Sequence, residues 1–380
     1  MGTGEITVNG KRLTVNGKRL TVNGKRKVRF AVVGCGHIGK RHIEMIQRNP
    51  EAELVAICDI LPSVLQSFSP SVLQSLNPSI LQSLSPSIPS FLNFESLLSS
   101  GISYDVINIC VPNGFHAAMA IRGMETGHHV VVEKPMALTT EEAGKILSTA
   151  GKFNKKVFCV MQNRYSPPSV WIKEMVDSGR LGKVFLVQIN CYWNRDSRYY
   201  QSGSWHGNKV LDGGTLFTQF SHFVDLMYWL FGDIQNINAR FMDFNHQTLT
   251  DFEDSGIVTF EFVNGGSGVL NYSTSVYNTN FESSVTIIAE NGTIKIGGQY
   301  MNEVSYCHVK DYTMPVLPPT NPGNDYGAYK GSAQNHHLVI NNVVNVLNNE
   351  EIEISTNANE GYKVVEIIER IYCLKSDLKI

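Results

Sequence analysis

A short apolar run, Val28 to Val33, leads directly into Gly34-Cys35-Gly36-His37-Ile38-Gly39 and then into a stretch of helical character, Ile38 to Arg48. No other feature of the chain constrains its fold as tightly. Glycines at this spacing between a strand and a helix let the backbone turn sharply, let a pyrophosphate approach the helix N-terminus, and let helix and strand pack closely. A second strand, Leu54 to Cys58, ends at Asp59, 20 residues beyond Gly39. An acid there accepts hydrogen bonds from the adenosine ribose, and with no adjacent Arg it repels a 2'-phosphate, which favours NAD over NADP.

The alternation continues through Val106 to Val111, His116 to Thr126, Val130 to Val132, Glu141 to Phe153 and Val157 to Met161. That order predicts a parallel, doubly wound sheet with right-handed crossovers. Beyond Asn163 the pattern changes. Helix Ser169 to Ser178, strand Val184 to Trp193 and helix Gly214 to Leu230 are followed by strands Ile237 to Phe244, Asp254 to Val263, Gly268 to Ser275 and Ser283 to Ala289, with Asn-Gly turns at Asn264 and Asn291. Strands joined by short turns predict a mainly antiparallel sheet, and helices Ser332 to Asn348 and Ala358 to Leu374 close the chain. The expected class is α/β: a Rossmann unit over 27–160, and a substrate-binding and oligomerisation α+β unit over 161–380.

Two repetitive tracts stand apart. Thr-Val-Asn-Gly-Lys-Arg recurs three times at a seven-residue period within residues 1–26. Each copy carries an Asn-Gly turn signal that allows a local hairpin, yet the tract has few apolar groups, so a mostly flexible tail is expected. Within 61–92, Pro-Ser recurs at 62, 70, 78 and 86. Short helical turns beginning at Pro are expected there, forming a surface segment in place of an ordinary helix.

Val111-Pro112-Asn113-Gly114-Phe115-His116 ends the fourth strand and Glu133-Lys134-Pro135 the fifth, at the carboxyl edge where open α/β sheets bind ligands. With the fingerprint, these segments resemble the glucose-fructose oxidoreductase, inositol dehydrogenase and rhizopine-catabolism (Gfo/Idh/MocA) family over nearly everything from Lys27 onward outside the Pro-Ser repeats. The resemblance implies that Lys134 lies beside the nicotinamide and hydrogen-bonds the reacting hydroxyl, with Pro135 commonly cis. A cation at that oxygen stabilises developing alkoxide charge. It also implies cofactor contacts from Gly34, Gly36, His37, Ile38, Gly39, Asp59, Val111, Pro112, Asn113, His116, Glu133, Lys134 and Gln162.

The second half carries Asp212-Gly-Gly-Thr-Leu-Phe-Thr-Gln-Phe-Ser-His-Phe-Val-Asp225. On a helix Thr218, His222 and Asp225 share one face. The match to the family motif makes His222 the candidate general base, and its ordinary pKa near neutrality suits the task. Relatives often hold an acid where this chain has Thr218. Without that carboxylate, Lys134 and His222 carry the proton transfer, with Thr218 beside them. A neutral residue followed by Gln is similar to the branch that oxidises UDP-N-acetylglucosaminuronate at C3 in bacterial surface-polysaccharide synthesis. Candidate substrate contacts are Arg164, Tyr165, Tyr200, Trp205, Gln219, His222 and Tyr326. Arg164 suits a carboxylate or phosphate but equally an internal ion pair, and the aromatic residues can stack on a sugar or pack on the sheet.

A net charge of -2 gives no basic field for nucleic acid or an anionic membrane, so a small-molecule partner is expected. The resemblance implies face-to-face pairing of the antiparallel sheet, in a homo-oligomer of two or four subunits. Seven cysteines without a C-x-x-C pair, and no apolar run long enough to span a membrane, point to a cytoplasmic protein without a metal. Two alternatives stay open: a glycosidase that oxidises C3 transiently through NAD, and a non-catalytic NAD-binding regulator. The Lys134 and His222 pair argues against the latter.

Overall fold

In the computed structural model, which describes residues 4–8, 11–16, 19–22, 25–68, 88–201, 203–327, 329–349 and 351–375, six strands run parallel. Their order is 157–159, 129–132, 106–109, 28–33, 52–58 and 90–91. The chain leaves Val28–Val33 first to one side and then to the other. The fingerprint loop therefore opens at the point where the strand order reverses, the place where doubly wound sheets leave a crevice. Phe30, Ala31 and Val32 are each fully buried, as strands covered on both faces require.

The second sheet has seven strands in the order 234–242, 255–262, 267–273, 184–192, 282–289, 292–297 and 303–309. It is mixed and mostly antiparallel, the exception being Val184–Tyr192 beside Ser267–Ser273. That parallel pair is reachable because the chain between them is long and includes the helix Ser221–Phe231. Along Ser255–Phe262 the alternate residues Val258, Phe260 and Phe262 are buried while Ile257 is exposed, so one face meets the core. The strands Gly292–Gly297 and Glu303–Val309 extend the sheet beyond those expected; in the first, Ile294 and Ile296 alternate with Thr293 and Lys295 and are buried.

The N-terminal repeats, where a local hairpin was allowed, form a four-stranded antiparallel sheet of Gly4–Val8, Lys11–Asn16, Arg19–Val22 and Lys25–Arg26. Each copy alternates aliphatic and polar residues and brings its own Asn-Gly signal, so pairing between neighbouring copies is local and needs no long-range partner. Two helix starts differ from expectation. The helix expected from Gly214 starts instead as a π-helical turn, Leu216–Phe220, and becomes α-helical over Ser221–Phe231. The helix expected from Ser332 begins at His336, because Lys330–Ala333 pairs with Gly323–Asp325. In the Pro-Ser tract, Pro62 opens the short helix Pro62–Gln66 as expected, and the later copies lie outside the described residues.

The last helices return to the first sheet. His336–Asn348 packs on the fingerprint helix His37–Arg48, and Ala358–Tyr372 packs on both Thr140–Phe153 and Ser221–Phe231. This closure holds the carboxyl edge of the parallel sheet against the π-helical turn. No described helix is long and apolar enough to cross a membrane.

Candidate functional site

At the fingerprint loop a Cβ on Gly39 would stand 1.8 Å from the Gly34 carbonyl oxygen, so this glycine is fixed by close packing of helix on strand. Gly36 is different: it is exposed, and a Cβ there would meet nothing within 4 Å. The open space lies at the N-terminus of His37–Arg48, where backbone N–H groups favour a pyrophosphate. Asp59 turns onto the same loop, accepting the Cys35 N–H at 2.7 Å and the Leu61 N–H at 2.9 Å. The cradle fits NAD. His37 is exposed beside it, edge-on to Tyr326 at 5.7 Å, with Ile38 half-buried.

The turn Val111-Pro112-Asn113 joins the strand to the helix His116–Glu125. His116 is buried with its ring nitrogens 2.6 Å from the Pro135 carbonyl and 2.8 Å from that of Val111. Its ring thus ties two sheet-edge turns together. The Lys134-Pro135 bond is cis. Glu133, expected at the cofactor, points inward, its Oε1 2.9 Å from His42 Nε2 and 3.5 Å from His336 Nε2. Burial alone raises the Glu133 carboxyl, but its contacts with His336 and His42 outweigh it and hold the group well below the usual range.

His42, Glu133 and His336 have ligand atoms within 4.8 Å of one another, the one such trio among the described residues. The Asn108 amide donates to His42 Nδ1 at 2.8 Å, which leaves the Nε2–H to donate to Glu133. The lone pair a metal would need is thereby taken.

Lys134 emerges at the carboxyl edge and donates from Nζ to the Thr218 carbonyl. Burial lowers its pKa to about 8, with Arg195 adding to the effect and Glu133 and Asp212 opposing it. The Thr218 hydroxyl donates to the carboxylate of Asp212 and accepts from the Asn113 amide at 2.7 Å. Asn113 also donates to the Asp212 carbonyl at 2.8 Å. The Asn113 side chain therefore joins the two halves of the molecule. Asp212 is 1% exposed, and burial raises its pKa to about 6 despite the Thr218 hydroxyl, the Gly207 N–H at 2.8 Å and the charge of Lys134.

His222 is 2% exposed with Nδ1 unpartnered among the described residues, and burial followed by the charge of Lys134 pushes its pKa well below the usual value. The expected shared face of Thr218, His222 and Asp225 is not preserved. The wide π-turn before Ser221 alters the angular spacing, so Thr218 meets Asp212 while Asp225 turns into the core. There Asp225 takes Arg164 in a two-bond pair at 2.8 and 2.6 Å, and Arg164 Nη1 reaches Glu360 at 2.5 Å. Arg164 is thus consumed internally and has no fork to offer a substrate.

Of the other expected substrate contacts, Tyr165 packs against the core between the parallel sheet and the His336 helix. Gln162 is buried with its side-chain oxygen unpartnered among the described residues. Gln219 spends its amide on Tyr199, donating at 2.9 Å, and on Arg195, accepting at 2.7 Å. Tyr200 lies edge-on to Tyr199 at 4.9 Å, and Trp205 stacks on His206 at 4.0 Å. Tyr326 sits 5.0 Å from Tyr329 and above His37, at the rim of the cofactor crevice.

Two further charged groups stand at the site, Asp212 and Arg195. Asp212 stood in plain view as the acid before the glycine pair; Arg195 had no signal. Arg195 is 2% exposed, its guanidinium among the rings of Trp193, Tyr199 and Tyr329 at 4.9 to 5.1 Å. Among the described residues it donates to Gln219, Asn280 and the carbonyls of Asn194 and Lys330. No carboxylate among the described residues pairs with it.

Comparisons with known proteins extend these observations. Residues 28–161 match the family model described as an oxidoreductase family with an NAD-binding Rossmann fold, and residues 170–295 match the GFO/IDH/MocA C-terminal domain. The structure is similar to that of the WlbA dehydrogenase from Bordetella pertussis in complex with NADH and UDP-GlcNAcA. Identity is 30%, 92% of this chain and 96% of that one are covered, and the TM-score is 0.77. Among curated proteins, the chain is 25% identical over 255 residues to D-glucoside 3-dehydrogenase of Escherichia coli K12, covering 63% of this chain and 68% of that protein. It is 29% identical over 182 residues to a glycosyl hydrolase family 109 protein of Shewanella baltica, covering 47% of this chain and 39% of the other's length.

Proposed function

This chain belongs to the GFO/IDH/MocA family of NAD-binding oxidoreductases, and from that premise we propose that it oxidises a ring hydroxyl of an anionic nucleotide-linked sugar to a ketone. The substrate proposed is a UDP-linked N-acetyl sugar uronate, oxidised at C3 for polysaccharide synthesis. The observation that carries this proposal is Lys134, a half-buried cation held by the Thr218 carbonyl at the sheet edge beside the cradle. The uncompensated charge of Arg195 supports an anionic substrate, because a buried cation lowers its energy when a ligand brings the opposite charge.

NAD, held at the Gly34 to Gly39 loop and Asp59, would supply the hydride acceptor for the sugar carbon. The Lys134 ammonium donates to the reacting oxygen and stabilises the charge that develops as its proton leaves. His222, kept neutral by burial, accepts that proton. The aromatic cluster of Tyr199, Tyr200 and Tyr329 excludes water around Arg195.

The test is to mix protein and NAD with UDP-sugars and free sugars, following NADH absorbance and product mass. Loss of two hydrogens from one UDP-sugar uronate supports the proposal; oxidation of none overturns it. The family 109 relative keeps a glycosidase in view, and release of an aglycone without net NADH would favour it.

We also infer that copies of the chain pair through the outer face of the seven-stranded sheet, where Leu186, Ile257, Ile288 and Tyr306 are exposed.

A further inference from the structure

Thr218 in the π-helical turn meets a carboxylate brought from another element. Asp212 comes from the short helix Lys209–Asp212, which ends at Gly213 and Gly214, both at positive φ, and its carboxylate meets the Thr218 hydroxyl directly. A side chain on Gly213 would lie 2.4 Å from Leu138, and one on Gly214 2.6 Å from the Tyr372 hydroxyl. The turn is therefore held closely enough to aim one acid. Thr218 in turn accepts Lys134 on its carbonyl.

We propose that Asp212 is a positioning residue for the oxidation: through the Thr218 hydroxyl it fixes the carbonyl that holds Lys134, and by its charge it keeps Lys134 an ammonium beside the reacting oxygen.

Three observations bear on this. Asp212 is buried, and its carboxylate is engaged by the Thr218 hydroxyl and the Gly207 N–H, so it is anchored rather than solvated. The charged and titratable groups around Lys134 are Glu133, Asp212, Arg195, His116, His206 and His222. Of these only Glu133 and Asp212 are anionic: Glu133 acts more strongly on Lys134 but is held from behind by His42 and His336, and Asp212 is the second counter-charge to Arg195, the one tied to the carbonyl that holds Lys134. The two groups titrate near 6 and near 8, so at neutral pH the acid is mostly ionised and the lysine mostly protonated.

The role rests on the proposed oxidation, and the test separates the two. The titration of Lys134 is followed in the NAD-bound protein by competitive acylation across pH, read by mass spectrometry, for wild type, Asp212→Asn and Thr218→Val. Removing the charge with Asp212→Asn is expected to move the Lys134 titration to lower pH by about half a pH unit or more. It should also reduce kcat about tenfold or more while KM and NAD affinity change less than about twofold. Thr218→Val, which keeps the acid but cuts its hydroxyl link, should lower kcat, and Thr218→Ser should restore most of it. An unmoved Lys134 titration in folded Asp212→Asn overturns the proposal. Should Asp212→Asn fail to fold, wild-type kcat in Thr218→Val overturns it. A shifted titration in a protein that oxidises no sugar would leave the charge relation standing and remove the reaction.

Discussion

Arg164 and Asp225 face each other through two parallel hydrogen bonds, Nε to Oδ2 at 2.8 Å and Nη2 to Oδ1 at 2.6 Å, with side chains only 4% and 1% exposed. Burial opposes both charges. For Arg164 it is outweighed by Asp225 and Glu360, which hold the guanidinium above its usual range, whereas the Asp225 carboxyl stays raised by burial despite Arg164. The pair joins the turn after the parallel sheet to the helix that carries His222.

Breaking one partner leaves a buried charge alone. Arg164→Met should therefore destabilise the fold by about 3–5 kcal/mol, measured by denaturant unfolding, and the double variant with Asp225→Leu should recover part of the loss. Near wild-type stability with a raised KM for the sugar would instead give Arg164 the substrate role.

The two fingerprint glycines should separate folding from cofactor binding. Gly39→Ala places its methyl carbon on the Gly34 carbonyl and should abolish or severely weaken folding. Gly36→Ala meets nothing in the protein, so its melting temperature should stay near wild type while NAD affinity falls about tenfold or more. Full NAD affinity in Gly36→Ala would show that the pyrophosphate does not lie there.

Asp59→Ala removes the acceptor of the Cys35 N–H as well as the acid meant for the ribose. A charge-assisted contact is worth about 1.5–3 kcal/mol, so NAD affinity should drop by roughly tenfold to a hundredfold. Calorimetry reads this directly, and an unchanged Kd would remove Asp59 from the cofactor site.

Lys134→Ala should lower turnover by about a hundredfold or more while NAD binding is nearly intact. The sign of the pH dependence follows from the charge state. Lys134 has a pKa lowered to about 8, so its ammonium is present below that pH and lost above it. Oxidation should fall as pH rises through about 8. His222→Asn should slow proton transfer, and a pH profile and rate like wild type would assign the base elsewhere.

Leu186→Glu or Ile257→Arg, each on the exposed face of the second sheet, should reduce the mass found by light scattering if copies pair there. A wild-type protein that runs as a single subunit at micromolar concentration would dismiss the pairing.

The sequence by itself determined the cofactor half. A strand, three glycines and an acid at fixed spacing are local chemistry, and Gly34 to Gly39, Asp59 and Lys134 stand at the sheet edge that their order in the chain implied. It also marked the second sheet, because alternation follows a strand's own geometry. The N-terminal repeats pair copy to copy, as the alternation within each copy allows. Tertiary structure alone decided the charges of the site. Whether Arg164 meets a ligand or Asp225, whether Glu133 faces outward or toward His42, and whether a carboxylate reaches Thr218 all depend on residues brought together from distant parts of the chain. A π-helical turn of five residues changed which side chains share a face, and no pattern of hydrophobicity encodes that. Charge pairing in a buried site is settled by which opposite group arrives within a few ångströms, and only the closed fold fixes that distance.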